Sequence, residues 1–305
     1  MRYMQLRKGP KKVFFLGLLT PICDSIKLFF KGFVVVLFSN EIVFLFAPLL
    51  SVFFLMVMWI LYPFAFFSKD FYFGVVVFLC VRRLKVYRVL GSGWGSNSKY
   101  SLLGSIRGAA QVISYELVLV FVMLVPLVFQ SSFSLGSFLW EGFWYGVLVL
   151  PLWVLWVVCC VAETNRSPFD FSEGERELVS GFKTEYRSLG FAFLFLGEYG
   201  QIIFIRMISI LIFFSFGLVL LNVCIGVFCA LCFIWFRSTF PRFRYDLLME
   251  WCWVYCLVFV FFFFFLFFFF FVFYVVWFLR VFLVLFLFFK CLCLFVWVFF
   301  VVFKI

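Results

Sequence analysis

Histidine is absent from the 305 residues, and charged side chains make up only 13% of them. Without histidine, the 11 cysteines have no imidazole to complete a zinc or cluster site, and the C-x-x-C pair Cys229 and Cys232 falls in an apolar stretch without a second pair. Both points argue against a bound metal. Flavin, haem and iron–sulfur motifs are also missing, so any electrons the chain deals with must come from a partner. The glycines of Gly91-Ser-Gly-Trp-Gly95 lack the lysine and helix opening of a phosphate loop, which leaves a turn as their use. No segment repeats at a fixed period, a weak argument against transporter folds built on inverted repeats. The scarcity of charge, with 68% hydrophobic residues and a mean hydropathy of +1.23, excludes a soluble domain: the solvent is lipid.

What is present is a series of apolar runs, each long enough to cross a bilayer core of roughly 30 Å as a helix of about 20 residues. The expected fold is all-α, a polytopic transmembrane helix bundle of about seven to eight spans forming one integral membrane domain over residues 1–305. The seven candidate spans are Phe33 to Tyr62, Phe71 to Leu90, Ser105 to Phe129, Phe138 to Val161, Ser188 to Ile208, Ile212 to Phe236 and Cys252 to Leu279. Val281 to Phe303 is an eighth, with no Gly, Pro or Asn to mark the turn before it. Residues 1–31 form a basic segment, residues 33–249 the core bundle, and residues 250–305 a phenylalanine-rich end. The 57 phenylalanines exceed what packing requires and read as lipid-facing filler from codon bias in a T-rich organellar genome. Ahead of the first span, Thr20-Pro21 predicts a helix start with a capping hydroxyl. Ile22, Ile26, Phe29 and Phe33 then share one face and Asp24, Lys27 and Lys31 the other, the pattern of a helix lying in the membrane interface.

The formal charge of +11 sits at helix ends, so it reads as membrane topology and not as nucleic-acid binding. Lys and Arg number seven in Met1 to Lys31, six in Arg82 to Arg107, four in Arg166 to Arg187 and three in Arg237 to Arg244, and these segments alternate so as to fall on one side with the N-terminus. The opening MRYMQLRKGPKK is basic and acid-free like a transit peptide, but Gly9-Pro10 breaks any amphipathic helix there, so it reads as mature chain.

Of 14 carboxylates, Glu163, Asp170, Glu173, Glu175, Glu177 and Glu185 crowd into the longest polar stretch. Like charges held close in a low dielectric titrate as a coupled set and can store and pass protons. Ser172-x-x-Glu175 also has the form of a capping box, and for Glu175 both readings stay open. Glu116 and Glu198 fall within or near spans, where an ionisable side chain is costly and a functional candidate by default. Arg107, nine residues before Glu116, lies on the opposite face of its helix at about 100° per residue, so Glu116 requires a partner on another helix. Arg206 is expected near the outer end of its span, snorkelling to the interface.

Several stretches together resemble subunit 1 of mitochondrial NADH:ubiquinone oxidoreductase, complex I, and its bacterial and hydrogenase relatives. They are MQLRKGP (Met4 to Pro10), GLLTPICDSIKLF (Gly17 to Phe29), GWGSNSKYSLLGSIRGAAQVISYE (Gly93 to Glu116), AETNRSPFDFSEGERELVSGF (Ala162 to Phe182), EYGQII (Glu198 to Ile203) and PRFRYDLLM (Pro241 to Met249), in the family's order. The resemblance implies a bundle in the mitochondrial inner membrane, N-terminus on the matrix side, that builds much of the ubiquinone channel. Peripheral-arm subunits, one bearing the terminal iron–sulfur cluster, would close the channel from above, with flavin and clusters in the partners alone. Other membrane-arm subunits and lipids, cardiolipin among them, would surround it. On this chain the family's proton path comprises Glu116, Glu163, Asp170, Glu173, Glu175, Glu177 and Glu198, while Arg7, Asp24, Tyr199, Arg242 and Arg244 would surround the channel.

The family carries a further helix ahead of MQLRKGP, which is expected to be lost, supplied by another polypeptide, or encoded upstream of a misassigned start. Two departures stand out. Arg176 interrupts the glutamates, and Arg82, Arg83, Lys85 and Arg88 invade a span that is normally apolar, which would shorten it or seat it against anionic lipid or an acidic partner. A self-contained ion/proton antiporter or channel is the rival class. Against it stands the expectation that no lysine lies mid-span in the first seven helices. A purely structural anchor would not need intramembrane glutamates.

Overall fold

The structure is a computed structural model describing residues 9, 14, 17–63, 71–141, 145–171, 181–241, 243–269 and 272–273, with the side chains of Glu141, Leu148 and Arg237 excepted. Two compact units divide the chain, Met1–Val260 and Phe261–Ile305. In the second, described at 261–269 and 272–273, phenylalanines four apart stack along a helix, Phe261 on Phe265 and Phe264 on Phe268.

The described helices are α1 (Thr20–Phe30), α2 (Glu41–Ile60), α3 (Gly74–Gly95), α4 (Lys99–Gln130), α5 (Leu135–Glu141), α6 (Tyr145–Leu148), α7 (Leu150–Glu163), α8 (Ser188–Phe213), α9 (Val219–Thr239) and α10 (Tyr245–Phe269). Five of them, α2, α4, α8, α9 and α10, are long and apolar enough to cross a membrane. At 32 residues and a rise of 1.5 Å per residue, α4 is about 48 Å long, so part of it stands clear of the hydrocarbon. It is the spine of the bundle: α3 and α7 pack along it, α2 packs on α3 and α8, and α9 lies outside α8.

Small residues set the closest seam. Ser51 of α2 is fully buried and its Oγ donates to Phe193 O of α8 at 2.9 Å and to Pro48 O at 2.6 Å. Gly197 permits that approach, since a Cβ there would stand 2.9 Å from Ser51 Cβ and Oγ and 3.1 Å from its carbonyl oxygen. Gly197→Ala is therefore expected to destabilise the bundle by about 1–3 kcal/mol. Gly32→Ala, whose Cβ meets nothing within 4 Å, is the matched control. Thermal inactivation of the two variants compares them.

At one end of the bundle the polar loops are tied together. Asn40 N donates to Gly95 O at 3.0 Å, and Asn97 Nδ2 to Phe38 O at 3.1 Å. Ser101 Oγ reaches Phe182 O at 3.4 Å, and Phe243 N donates to Pro168 O at 3.1 Å, with Phe169 and Phe243 stacked at 5.6 Å. Tyr186 stacks on Phe44 at 4.2 Å and donates to its carbonyl at 3.2 Å; burial pushes its phenol above the usual range, so it stays a neutral donor. Three of the four cation-rich segments, 82–107, 166–187 and 237–244, thus meet at one end.

Several expectations change. Within the span read as Phe138 to Val161 the helix breaks at Val149, and Pro151 opens the last piece, α7. Helix begins at Glu41 and not at Phe33, because residues 32–40 run as a non-helical segment bonded to the α3–α4 turn. Thr20 is the first residue of α1, with Leu19 as its N-cap, and its hydroxyl donates to Gly17 O at 2.7 Å. No residue of α1 is buried, which leaves its apolar face to lipid. The eighth span, Val281 to Phe303, lies outside the described residues.

Candidate functional site

Glu163 is the last residue of α7, where the helix dipole is negative and a carboxylate is unfavourable without cations. The cations come from α3. Arg82 Nε donates to Glu163 Oε1 at 3.0 Å and Lys85 Nζ to the same oxygen at 2.6 Å, while the Arg82 Nη2 side of the guanidinium contacts Glu163 Oε2. All three side chains are almost fully buried. Arg82, Lys85 and Arg88 recur every third residue and so occupy one stripe of α3 about 120° wide. All three face inward, Arg88 included.

For Arg82, Lys85 and Arg88 that placement corrects the expectation that they shorten the span or seat it against anionic lipid or an acidic partner. The helix continues unbroken to Gly95, and its cations point into the protein because buried carboxylates stand there to receive them. Arg83, a position off the stripe, is exposed. Lys85 at mid-helix also removes the expectation that no lysine lies mid-span.

A second carboxylate site lies beside the first. Glu198 Oε2, on α8, accepts from Lys183 Nζ at 2.6 Å and Arg166 Nη2 at 3.1 Å. Lys183 comes from the short 3-10 turn Gly181–Lys183 and Arg166 from the loop after α7. The Arg166 guanidinium lies 4.8 Å over the Tyr199 ring, and the Lys183 ammonium 4.4 Å over Phe195. Arg88 is within electrostatic reach of Glu198 and of Lys85, so the α3 stripe connects the two carboxylate sites.

Glu116 of α4 is buried, with its Oε1 4.0 Å from Arg83 Nε and within electrostatic reach of Arg82 and Lys85. It finds its cations on another helix, as its spacing from Arg107 required; the Arg107 guanidinium sits over Tyr245 instead, at 5.8 Å. Gln111, five residues before Glu116 and fully buried, donates to Ala162 O and Phe169 O at 2.9 Å each. It locks the end of α7 and the following loop onto α4, and with them Glu163 and the buried Asp170.

The other expected site residues are placed differently. Asp24 is exposed on α1, Tyr199 is half exposed, and Arg244 is exposed and pairs with Asp246 at 3.2 Å. Arg7, Glu173, Glu175, Glu177, Arg176 and Arg242 lie outside the described residues. Lys183, Arg166 and Gln111 were not singled out as site residues, although all three fall within the quoted polar stretches or directly beside them. Arg206 does not snorkel. The helix runs seven residues beyond it to Phe213, and the side chain is 2% exposed, its guanidinium against the Phe233 ring of α9. Its Nε and Nη1 have no hydrogen-bond partner among the described residues.

The geometry is thus a buried row of alternating charge at the tied end of a membrane bundle, formed by the carboxylates Glu116, Glu163 and Glu198 and the cations between them. Such a row can relay protons or respond to charge placed at its end. Comparison with known proteins identifies the family of the chain. The family model described as NADH dehydrogenase matches residues 1–268. The chain is 46% identical over 259 residues to NADH-ubiquinone oxidoreductase chain 1 of Heterololigo bleekeri, covering 82% of each. It is 43% identical over 254 residues to the same chain of Artemia franciscana, covering 82% of this chain and 84% of that one. Against the Aedes aegypti chain the identity is 43% over 264 residues, with 82% and 81% covered.

Proposed function

Because this chain belongs to the NADH dehydrogenase family, as a multi-pass inner-membrane chain 1 subunit of NADH-ubiquinone oxidoreductase, we propose that its charged row couples ubiquinone reduction to proton movement. Other subunits of that complex are its partners. In this reading the tied-loop end faces the matrix and the N-terminus with it. The peripheral-arm subunits, one carrying the terminal iron–sulfur cluster, dock there and close a ubiquinone channel over the loops. Electrons arrive from those partners, and the chain supplies the channel wall and the charges below it. Arg7, Asp24, Tyr199, Arg242 and Arg244 border the channel. Glu116, Glu163, Asp170 and Glu198, with Glu173, Glu175 and Glu177 of the same polar stretch, form the proton path. The exposed apolar face of α1, with Lys27 and Lys31 opposite it, rests on the membrane and favours anionic lipid such as cardiolipin.

The observation that carries the reading is the continuity of the row. One stripe of α3 touches Glu163 directly and lies within electrostatic reach of Glu116 and Glu198, so a charge change at any of the three is felt by the others. Reduction of a quinone consumes protons, and a negative species at the mouth of the row would draw protons along it. Glu116→Gln tests this with little damage to the fold, since Glu116 has a loose ion contact at 4.0 Å. In the assembled complex, quinone reduction and proton pumping are expected to fall together by about 100- to 10,000-fold. Wild-type rates in an intact Glu116→Gln complex would leave the residue as a structural acceptor and end the proposal.

A further inference from the structure

We propose that Lys85 is a proton-carrying residue of this subunit, passing a proton between Glu116 and Glu163; the inference rests on the carboxylate path proposed above. The ammonium is 2.6 Å from Glu163 Oε1, close enough for direct transfer. Glu163 does not depend on Lys85 for its counter-charge, because Arg82 engages both of its oxygens. A guanidinium keeps its proton at any pH a protein experiences, whereas an ammonium can give one up. Arg82 and Arg88 flank Lys85 on its own stripe, so Lys85 is the member of that row with a proton to exchange.

The groups facing it come from every element around α3. Glu163 approaches from α7 and Glu116 from α4, the latter within electrostatic reach. Lys183 lies on the 3-10 turn packed against α3, next to Glu198. The one charge on α2 is Glu41, exposed at its opening turn, and Arg83 stands at the exposed rim beside Glu116. At the centre, Arg82, Lys85, Glu116 and Glu163 sum to zero when all are ionised. A proton arriving on Glu116 leaves this buried group with one positive charge in excess, which a low-dielectric site opposes. Lys85 relieves it. An N–H bond of the ammonium breaks as an O–H bond forms on Glu163, and the neutral acid passes its proton on toward Glu198. The free amine then takes the proton held on Glu116, which lies within electrostatic reach and delivers it through an intervening water, and the starting charges are restored. No electron moves in these steps.

The test is Lys85→Arg in the whole assembled complex, reconstituted into vesicles and supplied with NADH and a short-chain quinone. Arginine keeps the positive charge and the contact with Glu163 but cannot release a proton. Pumping and coupled quinone reduction are expected to fall about 100- to 10,000-fold, with the complex still assembled on a native gel. An assembled Lys85→Arg complex with wild-type rate and wild-type protons per electron overturns the proposal. If the bulkier side chain prevents assembly, Lys85→Gln takes its place, read by the pH profile of turnover. Loss of the wild-type alkaline limb supports proton release by Lys85, and an unchanged profile overturns it. Glu116→Gln run alongside separates the two ideas. If it loses activity while the Lys85 variants keep theirs, this inference alone fails; if all behave as wild type, the carboxylate path fails with it.

Discussion

Glu163→Gln is expected to weaken the subunit by about 3–5 kcal/mol, and adding Lys85→Gln to recover most of that loss without restoring turnover. The single change leaves Arg82 and Lys85 beside a neutral amide at the end of α7, two buried cations without their carboxylate. The second change removes one of them, and the remaining guanidinium keeps a hydrogen-bonding partner in the amide oxygen that takes the place of the carboxylate. Heat inactivation of the complex, read on native gels for both single variants and the double, gives the coupling energy as a double-mutant cycle. A double variant no more stable than the worse single would show that the pair is not coupled through charge. This differs from Glu116→Gln, where assembly is expected to survive because the nearest cation is distant and exposed.

Arg206→Met is expected to act in the opposite direction, raising stability by about 1–4 kcal/mol with turnover unchanged. A buried guanidinium whose Nε and Nη1 have no partner among the described residues, and which rests on a phenylalanine ring, gains little in return for its lost hydration. Methionine matches the length of its aliphatic stem and fills the same space against α9. The same heat-inactivation assay checks it. A fall in stability would mean that a carboxylate from a neighbouring subunit completes the site.

The helical bundle was legible because lipid leaves a backbone few alternatives: every amide must be satisfied within its own segment, so apolar runs become helices. Individual ends were less legible. Residues 32–40 are as apolar as a span, yet their backbone bonds go to the α3–α4 turn, a partner no local pattern reveals. Glu116, Glu163, Asp170 and Glu198 were conspicuous as charges in an apolar chain; Glu116, Glu163 and Glu198 lie in the buried row, and Asp170 is buried in the loop after α7. Their partners were not. Arg82, Lys85 and Arg88 are three positions apart, which announces a shared stripe, but spacing does not say whether the stripe meets lipid or protein. Arg206 misled for the related reason that a span judged to end at Ile208 in fact continues to Phe213.

The ion pairs of α3 also set an order of events at synthesis. Lys85 and Arg82 bind a carboxylate 78 and 81 residues further along the chain, so α3 leaves the ribosome well before Glu163 exists. Each unpaired cation at the centre of an inserting helix costs roughly 2.5–3.5 kcal/mol on the insertion scale, and this helix carries four within seven residues. Until α7 is made, α3 is better placed at the translocon or the membrane surface than in the hydrocarbon. Its entry into the bilayer is therefore a late step, timed by the arrival of the α7 segment and not by its own emergence.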